Sequence, residues 1–191
     1  MPDIERSARL AAAWLLERSR ELKAEPLVVL PHSHARTSGP GAIQWLAKRY
    51  PVITPRSRGS SDTGRSVLAY AVDYKGFQLA AQCAQGAALV VVEWPTDPLI
   101  GWAVESRALN LATGELTPDS RSEETINHLE HLHRSGYNGW TTSFDKQVVP
   151  PLLAVMREQG TLDRDLVCGY MLAHGHSAES IKNLAAMMTR L

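Results

Sequence analysis

The sequence predicts a Rossmann-like three-layer α/β core with a mostly parallel sheet of about four strands, followed by an all-helical C-terminal region. Four short runs are rich in β-branched and aliphatic residues, helical patterns separate most of them, and only helical patterns follow residue 120. Each run is almost continuously apolar, as expected for parallel strands that are covered on both faces. The four runs are residues 27–30, 52–54, 67–72 and 88–93.

Three helices are predicted around these strands. An amphipathic helix over residues 4–22 carries acids and arginines on almost every turn, so it lacks the apolar centre of a secretory signal. Two further helices cover residues 42–50 and 74–85. The second and third strands are joined by a polar loop, residues 55–65, which is either a hairpin turn to an antiparallel strand or an ordered functional segment.

The chain changes character after the fourth strand. Asp97 followed by Pro98 predicts the capped start of a helix over residues 99–107. A short hairpin is expected over residues 109–116, which include a glycine near its turn. We therefore predict an α/β domain at residues 1–116 and a helical region at 117–191 packed on it.

The C-terminal region is predicted from caps and apolar periodicity. Ser120 and Glu123 have the spacing of a capping box for a helix to about residue 133. The next helix, residues 144–159, contains Pro150 and Pro151, which must break or kink it. The last two helices, residues 163–173 and 178–190, have the outline of a helix-turn-helix, although a plain helical hairpin fits the thin positive charge better.

Composition excludes several classes of protein. The chain has 191 residues, 44% of them hydrophobic and 21% charged, which is typical of a soluble globular protein. No apolar run approaches the roughly 18 residues that a membrane-spanning helix needs, so no membrane partner is expected. Cys83 and Cys168 lie in apolar helical patterns, which favours buried thiols in a reducing cytoplasm.

Charge is unevenly distributed along a chain whose net charge is zero. Residues 32–66 carry a local charge of +5, whereas residues 93–145 carry −6. Such polarity steers an anionic ligand to one side, or lets copies of the chain or a protein partner associate head to tail. The alternative is that two solvated faces merely differ in charge.

Polar and cationic residues follow the first two predicted strands. Ligands of open parallel sheets bind outside the carboxyl ends of the strands. Glycine amides at the start of a helix suit an anion, and arginines supply planar donors for phosphate, although a simple capped turn explains the glycines equally well. The predicted ligand-binding residues are Arg36, Ser38, Gly39, Gly41, Arg56, Arg58 and Arg65.

A catalytic alternative rests on acids that follow the later strands. Asp73 and Glu93 are placed to hold Mg²⁺ for phosphodiester hydrolysis, with His32 or His34 as the proton-transfer group. Asp73 is also a good N-cap for the helix that follows it. The histidines match no known metal signature, so no metal site is predicted.

These patterns favour a non-enzymatic cytoplasmic protein that binds a phosphate-bearing ligand at the carboxyl ends of the strands. Serines and glycines interleaved with arginines can wrap a phosphodiester backbone or order on a nucleotide, and nucleic acid is favoured over a free nucleotide. Two alternatives stay open: a Mg²⁺-dependent phosphoesterase or nuclease, and an oligomeric assembly or adaptor module.

Overall fold

A computed structural model of the chain describes residues 3–57 and 63–190. The chain divides into two compact units, Met1–Asp97 with Leu111–Gly114, and Pro98–Asn110 with Glu115–Leu191. The predicted domain boundary at residue 116 stays a prediction.

The first unit is an α/β sandwich. Its four strands are all parallel and lie in the order β2-β1-β3-β4. This confirms the predicted three-layer, Rossmann-like fold. The elements are α1 (Ile4–Leu22), β1 (Pro26–Val29), α2 (Ala35–Ser38), α3 (Gly41–Ala47), β2 (Val52–Ile53), β3 (Ser66–Tyr70), α4 (Tyr74–Cys83) and β4 (Leu89–Val92).

Burial on both faces explains the continuous apolar strands. Side chains alternate between the two faces of a strand. Val28 and Leu68 pack with Leu15 of α1 and Ile43 of α3 in one cluster. The alternate residues of β1 and β3 are also buried and point to the opposite face, where α4 contacts both strands. The α4 cysteine, Cys83, is buried and forms no disulfide, as predicted.

The connection between β2 and β3 is a crossover. Both strands pair with β1 in parallel, one on each side of it. The hairpin alternative for residues 55–65 is therefore wrong, because a two-strand hairpin would make β3 antiparallel to β2. Residues 58–62 of this connection lie outside the described residues.

The second unit is helical apart from one small hairpin. The two hairpin strands pair antiparallel around Gly114, as predicted. Cys168 is buried and forms no disulfide. The elements are α5 (Ile100–Glu105), β5 (Leu109–Asn110), β6 (Glu115–Leu116), α6 (Glu123–Ser135), a 3-10 helix (Gly136–Asn138), α7 (Asp145–Glu158), α8 (Arg164–Ala173) and α9 (Ala178–Thr189).

Three details of this unit differ from the sequence prediction. Leu99, rather than Asp97, occupies the N-cap position of α5. The cap of α6 is Ser122, whose hydroxyl accepts from the Thr125 amide at 3.1 Å, so the capping box at Ser120 is wrong. Pro150 and Pro151 lie inside the continuous helix α7, so the predicted break does not occur, whereas the predicted kink stays a prediction. The buried residues Val149, Leu153 and Met156 pack this helix in place despite the two missing proline N–H groups.

Two glycines let α5 and α8 cross in close contact. A Cβ atom on Gly101 would lie 2.0 Å from the Leu166 carbonyl oxygen and 2.5 Å from the Tyr170 amide nitrogen. A Cβ on Gly169 would lie 2.7 Å from the Gly101 nitrogen. The crossing brings Glu105, at the end of α5, to the carboxyl end of α8.

Among the described residues, none of the helices combines the length and apolar character needed to cross a bilayer.

Candidate functional site

The predicted site lies at the carboxyl edge of the sheet. The chain leaves β1 towards β2 on one side and later returns to β3 on the other, so the strand order reverses at β1. Such a reversal is where open α/β sheets bind ligands. Residues 31–34 follow β1 at this point, and residues 71–73 follow β3.

A short helix replaces part of the loop expected after β1. The His32 Nδ1 atom accepts from the amide of Ala35, the first residue of α2, at 3.2 Å. The Ser38 hydroxyl donates to the His34 carbonyl at 3.1 Å. These polar groups serve the local backbone, while the rings of His32 and His34 remain exposed.

Arg36 lies on the outer side of the sheet edge. The carbonyls of Pro51 and Ile53 accept from β1, so the Val52 carbonyl points away from the sheet. The Arg36 Nη2 atom donates to that carbonyl at 2.9 Å. The guanidinium therefore covers an unpaired group of the edge strand and still faces solvent.

The predicted anion cradle already has acceptors within the chain. The Gly39 amide donates to the Ala35 carbonyl at 3.2 Å, and the Gly41 amide donates to the Glu5 Oε2 atom at 3.3 Å. A carboxylate of α1 thus stands where a phosphate oxygen was expected. The pKa of Tyr70 is raised mainly by burial and, to a smaller extent, by the negative charge of Glu5.

Arg56 and Arg65, at the two ends of the β2–β3 connection, lie at opposite edges of the sheet. Arg56 is exposed in a turn at the carboxyl end of β2, where the Thr54 amide donates to the Ser57 hydroxyl at 2.9 Å. Arg58 lies outside the described residues. Arg65 precedes β3 at the amino edge, where it donates to the Glu25 and Pro26 carbonyls and pairs with the Glu25 carboxylate at 3.2 Å. Its predicted position on the carboxyl edge is wrong, because it stands at the other end of the crossover.

The acids of the catalytic alternative lie on neighbouring strand ends. Asp73 accepts from the Gly76 amide at 2.8 Å and is the N-cap of α4, while Glu93 is exposed after β4. Within residues 3–57 and 63–190, no three His, Cys, Asp or Glu side chains are grouped so that they could hold a metal ion. Asp73 has a structural role that needs no metal.

A second polar cluster, in the helical unit, was not predicted. His133 Nδ1 lies 2.8 Å from His176 Nε2, and the ring centroids of His133 and His174 are 4.7 Å apart. His174 Nε2 lies 3.3 Å from Glu105 Oε1. We call His133, His174 and His176 the histidine cluster.

Glu105 connects this cluster to an open groove of about 410 Å³ in the same unit. Arg121, whose side chain is 9% exposed, binds Glu105 at 2.8 Å and Asp119 at 2.7 Å. The side-chain hydrogen bond from Arg121 lowers the pKa of Asp119 to about 2. The Asp119 and Glu105 carboxylates in turn raise the pKa of Arg121. Arg107 also lines the groove, so its two arginines balance the charges of the two carboxylates.

Helical spacing does not group the histidines that meet in the structure. Spacings of four and three residues put Glu124, His128 and His131 on one face of α6, but in the described chain they form no group that could hold a metal ion, and His128 instead lies 3.4 Å from the Thr161 hydroxyl. The only sequence signal for the observed cluster was the pair His174 and His176 in one turn. Its partner His133 is 43 residues from His176, so periodicity could not find it.

Comparison with known proteins adds no assignment. No protein family, no curated protein and no solved structure matches this chain.

Proposed function

We propose that the protein is a non-enzymatic binding protein for a phosphate-bearing ligand, held at the carboxyl ends of β1 and β2. The observation that carries the proposal is the turn that presents Arg56. Its backbone is fixed by the Thr54 and Ser57 hydroxyls, and its guanidinium is exposed and makes no ion pair with the described residues. Arg36 follows the neighbouring strand, and Arg58 belongs to the same connection as Arg56.

Nucleic acid fits this surface better than a free nucleotide. A compact pyrophosphate is usually held by several free backbone amides at a helix start. The Gly39 and Gly41 amides already have acceptors, so phosphate contacts fall to side chains on the surface. A polymer with repeated phosphates can reach such arginines separately, and each contact releases counterions.

The salt dependence of oligonucleotide binding tests the proposal. The slope of log K against log salt should flatten by about 0.7 per lost contact with a single strand in Arg36→Ala and in Arg56→Ala. Lys48→Ala is the matched control, since Lys48 is exposed in the same basic segment but follows α3 towards the amino edge. Binding that is absent, or that all three variants weaken equally, would contradict the proposal.

The two alternatives predict different signals in the same samples. For a phosphoesterase, Mg²⁺ should raise the melting temperature, and Asp73→Ala should abolish that rise. For an assembly module, light scattering should detect an oligomer that added salt dissociates. We expect neither: Asp73→Ala should lower stability by about 1 kcal/mol through loss of a cap, with or without Mg²⁺.

A further inference from the structure

Two histidines from distant parts of the helical unit meet ring to ring. His133 lies in the last turn of α6, and His176 lies in the turn that joins α8 to α9. Their facing nitrogens, Nδ1 and Nε2, are 2.8 Å apart. A hydrogen bond at this distance needs one N–H and one lone pair, so at least one ring must be neutral at its facing nitrogen.

The pair sits against a buried tryptophan. The Trp140 side chain is 1% exposed, and its ring centroid is 4.6 Å from that of His176. Trp140 has a φ of 56°, a left-handed backbone conformation that a bulky residue adopts only when its surroundings hold it there. Gly136 leaves the room for this arrangement, since a Cβ atom there would lie 2.2 Å from Trp140 Cζ2 and 2.8 Å from His176 Cε1.

The start of α9 closes the same region. The Asn183 side chain donates to the Gly139 carbonyl at 3.2 Å, and a Cβ atom on Gly139 would lie 2.6 Å from the Ser180 hydroxyl. The 3-10 helix and Trp140 are therefore covered by the turn that carries His176 and by the first turns of α9. If His176 leaves His133, this cover loses a hydrogen-bonded link to α6.

We propose that the His133–His176 pair is an acid-sensitive latch: it fastens the turn between α8 and α9 over Trp140, and it opens when both rings are protonated. With both facing nitrogens protonated, two N–H groups and two positive charges meet at 2.8 Å and the hydrogen bond cannot form.

The charged groups around the latch come from three helices. Carboxylates favour protonation of the rings, whereas cations and burial oppose it. Burial and the charges of His174 and Arg134 lower the pKa of His133 despite Glu130. Burial and the other two histidines lower the pKa of His176 to about 4. The groups concerned are Glu130 and Arg134 of α6, Tyr170 of α8 with His174 after it, and Glu105 of α5.

The direction of the pH effect follows from these pKa values. An unfolded histidine binds its proton near pH 6.5, whereas folded His176 does so only near pH 4. The unfolded chain therefore binds more protons between these values, so the latch contributes fully above pH 6.5 and its contribution is lost as the pH falls towards 4.

The test combines melting temperature with NMR on the full chain. As pH falls from about 6.5 to 4, the melting temperature should fall more in the wild type than in His176→Gln, which keeps a hydrogen-bonding group without a titrating ring. Hydrogen exchange of the Trp140 indole N–H, corrected for its intrinsic rate, should become about tenfold faster for each unit by which the pH falls in this range. His131→Gln replaces an exposed histidine of α6, the helix that carries His133, and should keep the wild-type pH dependence of the melting temperature.

Several results would overturn the latch. The ring of His176 could titrate at its ordinary value in the wild type, or the Trp140 exchange could stay constant until global unfolding. Zn²⁺ could raise the melting temperature in a way that His176→Gln abolishes, which would assign the pair to a metal. His133→Gln gives the same comparison if His176→Gln does not fold.

Discussion

The polar residues at the carboxyl edge of the α/β unit and those of the histidine cluster in the helical unit are built in opposite ways. At the edge, most polar groups bond to backbone within four residues, as His32 does with Ala35 and Asp73 with Gly76. In the cluster, the bonded residues are 43 and 69 positions apart. Edge groups therefore support local structure wherever their strand or helix forms, whereas the cluster exists only when the whole helical unit is folded.

The largest loss of stability should come from a substitution at the crossing of α5 and α8, which positions Glu105 beside the histidine cluster. In Gly101→Ala the new methyl group would overlap backbone atoms of α8, at 2.0 Å from the Leu166 oxygen, and backbone cannot move aside as a flexible side chain can. We expect a loss of about 3 kcal/mol or more in the free energy of unfolding, which lowers the melting temperature by about 6–12 °C. Chemical denaturation followed by circular dichroism measures it.

Gly41→Ala is the control for this change at the edge. Its Cβ would meet only Glu5 Oε1 at 3.4 Å, an ordinary contact. The free energy of unfolding should change by less than about 0.5 kcal/mol. If Gly101→Ala and Gly41→Ala lower the free energy of unfolding equally, the contrast between the tightly packed helix crossing and the carboxyl edge of the sheet is wrong.

A loss of stability of intermediate size is expected when Arg121 is replaced, because Arg121 lines the groove and binds Glu105 beside the histidine cluster. Arg121→Gln leaves the Glu105 and Asp119 carboxylates without their shared partner. We expect a loss of about 1–3 kcal/mol in the free energy of unfolding, towards the lower end because Asp119 is well solvated.

The same variant has a pH signature. Arg121 holds the pKa of Asp119 near 2, below its ordinary value of 3.8, so the stability this carboxylate contributes is present above pH 3.8 and is lost as pH falls towards 2. In Arg121→Gln the pKa of Asp119 should rise towards its ordinary value, which carboxyl NMR measures. An Asp119 pKa that stays near 2 would mean that Arg121 is not its main partner.

The sequence predicted the α/β unit and the polar residues of its carboxyl edge better than it predicted the histidine cluster, for a physical reason. Continuous apolar runs report burial on both faces, so the parallel sheet could be found from β1, β3 and β4 alone. The order of the strands could not be found from these runs. Arg65 was therefore assigned to the wrong edge, because the chain crosses over β1 before it reaches Arg65 and β3. The cap at Asp73 is local and was visible, whereas the contact between His133 and His176 depends on tertiary packing that leaves no periodic signal.

The smallest change tests the contact between Glu5 and Gly41, whose partners are far apart in the sequence. Glu5 on α1 accepts from the Gly41 amide 36 residues away. In Glu5→Gln the amide oxygen can still accept this bond, so the free energy of unfolding should change by less than about 0.5 kcal/mol. The lost charge should lower the pKa of Tyr70, which Glu5 raises in the native protein, and NMR of the Tyr70 ring would detect the change.

The same variant shows how far a phosphate-bearing ligand extends along the edge. If an oligonucleotide passes near Gly41, removal of the Glu5 charge should strengthen its binding, because repulsion between the carboxylate and phosphate is lost. Arg9→Gln, an exposed change on α1 that removes a positive charge, is the control for general electrostatic effects. Affinity that rises in Glu5→Gln beyond the fall in Arg9→Gln would extend the ligand contact from Arg36 and Arg56 to the start of α3. Equal and opposite changes would confine the ligand to the arginines, because both would then reflect only the net charge of the chain.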